Sequence, residues 1–296
     1  MNPQPMEVAS SHHTSLVKKS ITYFFLLLMC VSVNSKADIA QGYAWLAAQQ
    51  QSDGRVESRP SLAHPLQSTA DTVLAFDQDS DAGGLNRAQA LDFIASNAEL
   101  STEFVARALL LGIETDTNGG SLVEKLISHQ NPGGGFGSFE SFDSNVLDTA
   151  LALSALSSVK ANYPQPTGFA VSYLIDQQSA DGAFSLYLSE TASPPLTAIV
   201  SIALQNYIFD YSSVSQIVTS ANQYLLVNQS ADLTTEGNWQ AALSLLAVVP
   251  TVRDSSRYAS LVNGLVDAQQ TNGSWGEDDF TTALAIRALQ LAENIT

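Results

Sequence analysis

Cysteine, histidine and basic residues are all scarce in this 296-residue chain, and each shortage removes a class of chemistry. The single cysteine, Cys30, stands inside an apolar N-terminal run. If that run is a removable leader, the rest of the chain has no disulfide, no thiolate nucleophile and no thiolate-bound zinc. Of the four histidines only His64 and His129 lie beyond it, far apart in sequence. They read as surface or capping residues, and hydrolases built on histidine-held metal are disfavoured. Lysine and arginine number 12 against 29 aspartates and glutamates, a formal charge of −17. Such a surface repels nucleic acid and anionic membranes, so nucleic acid is not an expected partner. No Gly-x-Ser-x-Gly elbow occurs, and the glycine run from Gly133 to Gly137 has no preceding strand, so it reads as turn chemistry.

What the chain does have begins with a leader. Lys18 and Lys19 precede an apolar run from Ile21 to Val33, and Ser35-Lys36-Ala37 supplies small residues where a signal peptidase cuts. The run is short of the roughly 20 residues that span a bilayer. Residues 1–37 are therefore expected to be a cleaved secretory signal, and the mature protein to be secreted or periplasmic without a stable membrane span. The alternative is an uncleaved N-terminal anchor. Lipidation at Cys30 is disfavoured because Leu28-Met29 precedes it where small residues are wanted. Loss of Lys18, Lys19, Lys36 and Glu7 takes the formal charge from −17 to −19.

Residues 38–296 are expected to form one domain of repeats. Gln50, Gln130, Gln178 and Gln269 each stand four residues before a glycine (Gly54, Gly134, Gly182, Gly273), with Val56, Phe136, Phe184 and Trp275 two further on. Thr-Ala follows the glycine after 15 residues in three copies (Thr69, Thr149, Thr197) and after 9 in the last (Thr282). Two fixed offsets repeated along a chain mark one supersecondary unit used many times. Helix formers at helical spacing precede each glutamine, Asp-Gly or Asn-Gly turns the chain, and Ser68, Asp148 and Thr281 read as N-caps of a second helix. The unit is a helical hairpin. Two weaker copies, with helices over 88–97 and 101–111 and over 221–229 and 240–249, bring the number to six. In the weaker copy nearer the C-terminus the loop is expected to end near Trp239. Six hairpins can close a ring and so bury the apolar ends that an open stack would have to cap.

The Gln-x3-Gly-x-Trp/Phe spacing followed by Thr-Ala-x-Ala-Leu resembles the repeat of the terpenoid cyclase and protein prenyltransferase superfamily, the α/α toroids that include squalene cyclases. The resemblance covers about residues 39–293 and implies an all-α fold, an α/α toroid of about six helical hairpins or (α/α)6 barrel. In it Phe136, Phe184 and Trp275 would wedge between neighbouring hairpins. It does not fix the chemistry. Cyclases of this superfamily carry Asp-x-Asp-Asp directly before Thr-Ala, with the middle aspartic acid as proton donor. Here Asn145-Val146-Leu147-Asp148 stands there, so the donor position is Leu147. The zinc-ligand cysteine of the prenyltransferases and the Cys-Gly-Glu-Gln of the thioester proteins are absent as well.

Candidate site residues remain in two groups. Asp148, Glu140, Glu277, Asp278 and Asp279 lie in repeat loops that could gather at one mouth of the ring, where paired carboxylates would serve a glycosidase. The bland reading is that they are helix N-terminal acids meeting free N–H groups. Asp77, Asp79 and Asp81 alternate before Gly83 as calcium ligands do, although the glycine comes one residue late for an EF-hand and position twelve is Ala88. Calcium and a solvated Asp/Gly linker are the two readings of that stretch. No other cofactor is expected. The small inner-helix residues, Ala150 and Ala198 among them, are compatible with either a filled or a hollow centre. Two functions stay open: a non-catalytic module binding a hydrophobic small molecule, a glycan or a protein, and an enzyme on the same scaffold, terpene cyclase-like or a hydrolase or lyase acting on carbohydrate. The missing catalytic groups favour the first.

Overall fold

A computed structural model describes residues 37–59, 61–97, 101–188, 190–228, 235–250 and 256–293. The expected leader, Cys30 included, lies outside these except for Ala37. The described residues form twelve α-helices: α1 (Ile39–Ala48), α2 (Pro65–Phe76), α3 (Arg87–Asn97), α4 (Thr102–Leu110), α5 (Leu122–Ser128), α6 (Val146–Leu156), α7 (Pro164–Asp176), α8 (Pro194–Gln205), α9 (Val214–Val227), α10 (Thr235–Val248), α11 (Ser256–Asp267) and α12 (Asp279–Glu293). The even-numbered helices pack in the order α2, α4, α6, α8, α10, α12 and back onto α2, which closes an inner ring. Each odd-numbered helix lies outside, against the inner helix before it, and α1 completes the circuit on α12. The described residues form an α/α toroid.

The repeat residues make the ring, and the bonds explain their spacing. In each of four copies the glutamine side chain donates to the carbonyl of its own repeat glycine and to a carbonyl at the start of the next outer helix. Gln50 reaches Asn86, Gln130 reaches Pro166 and Gln178 reaches Ile217 at 2.8–2.9 Å. Gln269 makes the same bond to Asp38 at 2.8 Å, across the whole length of the domain, and accepts from the Asp38 N–H at 2.7 Å. The threonine is the second fixed point: its hydroxyl accepts the buried backbone N–H of Val56, Phe136, Phe184 or Trp275, each at 2.9 Å. Trp275 is fully buried, donates its indole N–H to Leu265 at 2.6 Å, and lies where a Cβ on Gly42 would meet its ring at 3.3 Å. The aromatic wedge thus holds α1 against α12 where the ring closes.

Three local expectations are corrected. The repeat glycines do not end the helices, which stop in right-handed residues such as Gln49, His129 and Gln177. Instead Gly54, Gly134, Gly182 and Gly273 turn the chain beyond the helix at φ between 89° and 94°. The inner helices start earlier than Ser68, Asp148 and Thr281: His64 caps α2 in a capping box with Gln67, Asn145 caps α6, and the Asp278 carboxylate accepts from Thr281 N–H at 2.7 Å. Trp239 is not at a loop end but inside α10.

Candidate functional site

The ring is open at one end. A cavity of about 420 Å³ opens at the end where the long loops precede the inner helices. Its wall follows a rule anchored on the repeat threonine. Residues two before and two after it are four apart, and so share the helix face turned inward. On α6 these are Leu147 and Leu151, and both line the cavity. On α2 the pair is Gln67 and Asp71, on α8 Pro195 and Ile199, and on α12 Phe280 and Leu284, of which Gln67, Ile199 and Phe280 reach the cavity wall. The two weak copies obey it without a threonine. Val105-Ala106 stands for Thr-Ala between Glu103 and Arg107, and Ala241-Ala242 between Trp239 and Leu243, all four lining the cavity. Trp239 and Phe280 face each other with ring centroids 6.4 Å apart, and Leu62 and Ala63 from the loop before α2 close over the mouth.

One side of the lumen is polar and tightly bonded. Asp71, only 4 % exposed, receives Arg107 Nη1 at 2.6 Å on one oxygen and Arg287 Nη1 on the other. Arg107 Nε donates to Glu103 at 3.1 Å, and Gln67 Nε2 donates to the same oxygen at 2.5 Å. Burial alone would lower the Arg107 pKa, but Asp71 and Glu103 outweigh it and hold it above the usual guanidinium value. Burial lowers Arg287, with Asp71 opposing and the charge of Arg107 assisting. Both remain cations at any working pH.

The expected site residues are not brought together there. Glu140 and Glu277 are exposed on their loops. Asp148 is buried and accepts from Ser138 and Asn145 at 2.7 and 2.5 Å. Asp278 receives the Leu62 N–H at 2.7 Å, and Asp279 receives Ser58 N–H at 2.9 Å and the hydroxyls of Ser61 and Ser68 at 2.7 and 3.2 Å. These last two acids strap Ser58, Ser61 and Leu62 to the start of α12. They sit three inner helices away from Asp148, half the ring, and none of the five lines the cavity. In the stretch with the calcium-like spacing, Asp77 is held by Arg87 through two bonds of 2.7 and 2.9 Å, and Asp79 accepts from the N–H of Asp81 within its own turn. Among the described residues no three His, Cys, Asp or Glu gather as a metal site. His64 caps α2, as a lone histidine can, whereas His129 is buried against Thr102, with 2.8 Å between Nδ1 and the hydroxyl. Because that hydroxyl donates to Gly137, Nδ1 must carry the proton, and Nε2 is left buried without a partner.

The sequence reading missed Arg107, Glu103, Asp71 and Trp239. Arg107, Glu103 and Trp239 lie in the copies without Gln-Gly and Thr-Ala, and only the four-residue spacing around the anchor position would have found them.

No protein-family model matches the chain, and no curated protein matches it in sequence. Solved structures do match in fold. A variant of the type II terpene cyclase MstE from Scytonema, in complex with its substrate geranylgeranyl dihydroxybenzoate, is 14% identical with a TM-score of 0.67, over 87% of this chain and 97% of that one. An inactive variant of an α-1,6-mannanase from Salegentibacter, in complex with α-1,6-mannotriose, is 10% identical with a TM-score of 0.61, over 88% and 100%. ent-Copalyl diphosphate synthase from Streptomyces platensis, at 19% identity and a TM-score of 0.53, is matched over 78% of this chain and 50% of its own length. Identities this low establish the terpenoid cyclase-like toroid and leave the activity open.

Proposed function

We propose that this chain is a secreted binding protein that holds a hydrophobic small molecule in the lumen of the toroid without transforming it. The observation that carries the reading is the composition of the cavity wall. Leucine, isoleucine, alanine and aromatic side chains make most of it, and the one carboxylate among its described residues, Glu103, receives Arg107 and Gln67 on one oxygen. A mostly apolar pocket of a few hundred Å³ with few convergent polar groups suits a small apolar ligand. Among the described residues, catalysis of either neighbour's kind has no evident group to use. The position two before Thr149, where the cyclase resemblance implies the proton donor, is Leu147, and the adjacent aspartates 278 and 279 are consumed in the strap.

The test uses N-phenyl-1-naphthylamine, a neutral probe that fluoresces when transferred out of water. The protein is expected to bind it at one site, and Leu151→Trp or Ile199→Trp, which fill the lumen from different helices, to abolish binding while unfolding remains cooperative. Undiminished binding in both folded variants would remove the lumen as the site. Turnover of a polyprenyl substrate or a mannan by the purified protein would overturn the non-catalytic part.

A further inference from the structure

Arg107 is bonded on two of its three nitrogens, and the third has a direction fixed by the first two. Nε is held by Glu103 and Nη1 by Asp71. A guanidinium is planar and cannot keep both bonds while swinging its last corner, so Nη2 is a donor set in advance. It has no partner among the described residues and is not among the nitrogens sealed away from solvent, and Arg107 forms part of the lumen wall. The rest of that wall is largely apolar, so an entirely hydrocarbon ligand would leave this donor dry and unpaired, which is unfavourable. We propose that Arg107 anchors the ligand, and that the ligand is an amphiphile with one neutral acceptor oxygen, a hydroxyl or a ketone, on an apolar body. This rests on the lumen being the binding site.

The charges decide against an ionic head group. Asp71 and Glu103 balance Arg107 and Arg287, so the cluster is already neutral. A ligand carboxylate would bring a third negative charge beside Asp71 and Glu103, and a ligand cation would face two guanidiniums. A neutral oxygen accepts the free N–H without disturbing the balance. The volume sets the size: about 420 Å³ holds roughly 14 groups at the ~30 Å³ of a water molecule in liquid. That is the scale of a twelve-carbon alcohol.

The experiment displaces N-phenyl-1-naphthylamine from the full protein with three probes of equal chain length: 1-dodecanol, dodecane and dodecanoate. Dodecanol is expected to displace it at least tenfold more effectively than either of the others, beyond what their partitioning into a neat apolar solvent accounts for. Arg107→Met is expected to bring dodecanol to the level of dodecane and leave dodecane unchanged. Because that substitution leaves Asp71 and Glu103 short of a partner, the probe series on the unaltered protein carries the test if the variant does not fold. Equal displacement by dodecanol and dodecane, or strongest displacement by dodecanoate, would overturn the anchor while leaving the lumen as the site. Failure of the fluorescent probe itself to bind would instead bring down the lumen reading and this inference with it.

Discussion

Closure of the ring can be tested at one glycine against another. Gly273 has φ +92°, and a Cβ built on it would stand 2.6 Å from the backbone of Gln41 in α1, across the seam between the last hairpin and the first. Gly112, in the turn after α4, has a comparable φ of +79° but nothing within 4 Å of its Cβ position. Alanine at either pays for left-handed backbone, about 1–2 kcal/mol, and recovers about 0.4–1 kcal/mol from a less flexible unfolded chain. Those contributions are common to both and cancel in the difference. What remains for Gly273→Ala is overpacking against a main chain that cannot rotate away, about 1–3 kcal/mol. For a domain of this size a kilocalorie is worth about 2–4 °C in Tm. Gly273→Ala should therefore melt several degrees below Gly112→Ala, and close to Gly182→Ala, whose Cβ would meet Ser220 at 2.4 Å at an internal seam. Thermal unfolding followed by circular dichroism measures all three. If Gly273→Ala and Gly112→Ala melt together while Gly182→Ala is lower, nothing packs on Gly273 and the toroid is open there.

Thr149→Val keeps the shape of the side chain but leaves the buried N–H of Phe136 without an acceptor and should cost about 1–3 kcal/mol; a loss under half a kilocalorie in urea unfolding would mean that the threonine anchor is not a structural bond. His129 gives a pH dependence. Burial and then Lys125 lower its pKa from 6.5, against Glu140 and Asp148, so the folded protein resists protonation that the unfolded chain accepts. Its contribution is therefore complete above about pH 6.5 and is lost as the pH falls through the folded value. Between about pH 7.5 and 5.5 the urea midpoint of the wild type should drop more than that of His129→Asn, and parallel profiles would rule out His129 as the cause.

The fold was legible because its determinants repeat. Gln, Gly, the wedge residue and Thr recur at fixed offsets since each makes the same bond in each copy, and bonds of fixed geometry impose fixed spacing. The glycine-to-threonine step could shrink from 15 to 9 in the last copy without loss, because both residues still meet Trp275 and the seam. The lumen was less legible for the opposite reason. Its residues differ from copy to copy, as Asp71, Arg107, Leu151, Ile199 and Leu243 show at one equivalent position, so no recurrence announces them. The acids of the loops misled because a carboxylate near a helix start has the same sequence signature whether it caps, straps or catalyses. Only the partners of Asp148, Asp278 and Asp279 tell these apart.

The division between repeating and non-repeating residues also bears on what the scaffold can tolerate. The glutamine and threonine bonds of the repeats lie at outer-helix starts, in turns and on the buried side of the inner helices, and among the described residues none of these glutamines or threonines lines the cavity. An apolar side chain of the cavity wall can therefore change without touching a seam bond. The contrast is with the Asp71 cluster, where α2, α4 and α12 are joined by charge across the lumen side rather than by the repeat chemistry. It ties in α4, the inner helix of a copy that has neither a repeat glutamine nor a threonine anchor of its own. The ion cluster therefore reinforces a seam that Gln50 already bridges to Asn86, and it leaves Arg107 Nη2, on a residue of the cavity wall, without a partner among the described residues. The side chains that fasten the degenerate copy to α2 and α12 are thus the same ones that make one side of the cavity polar.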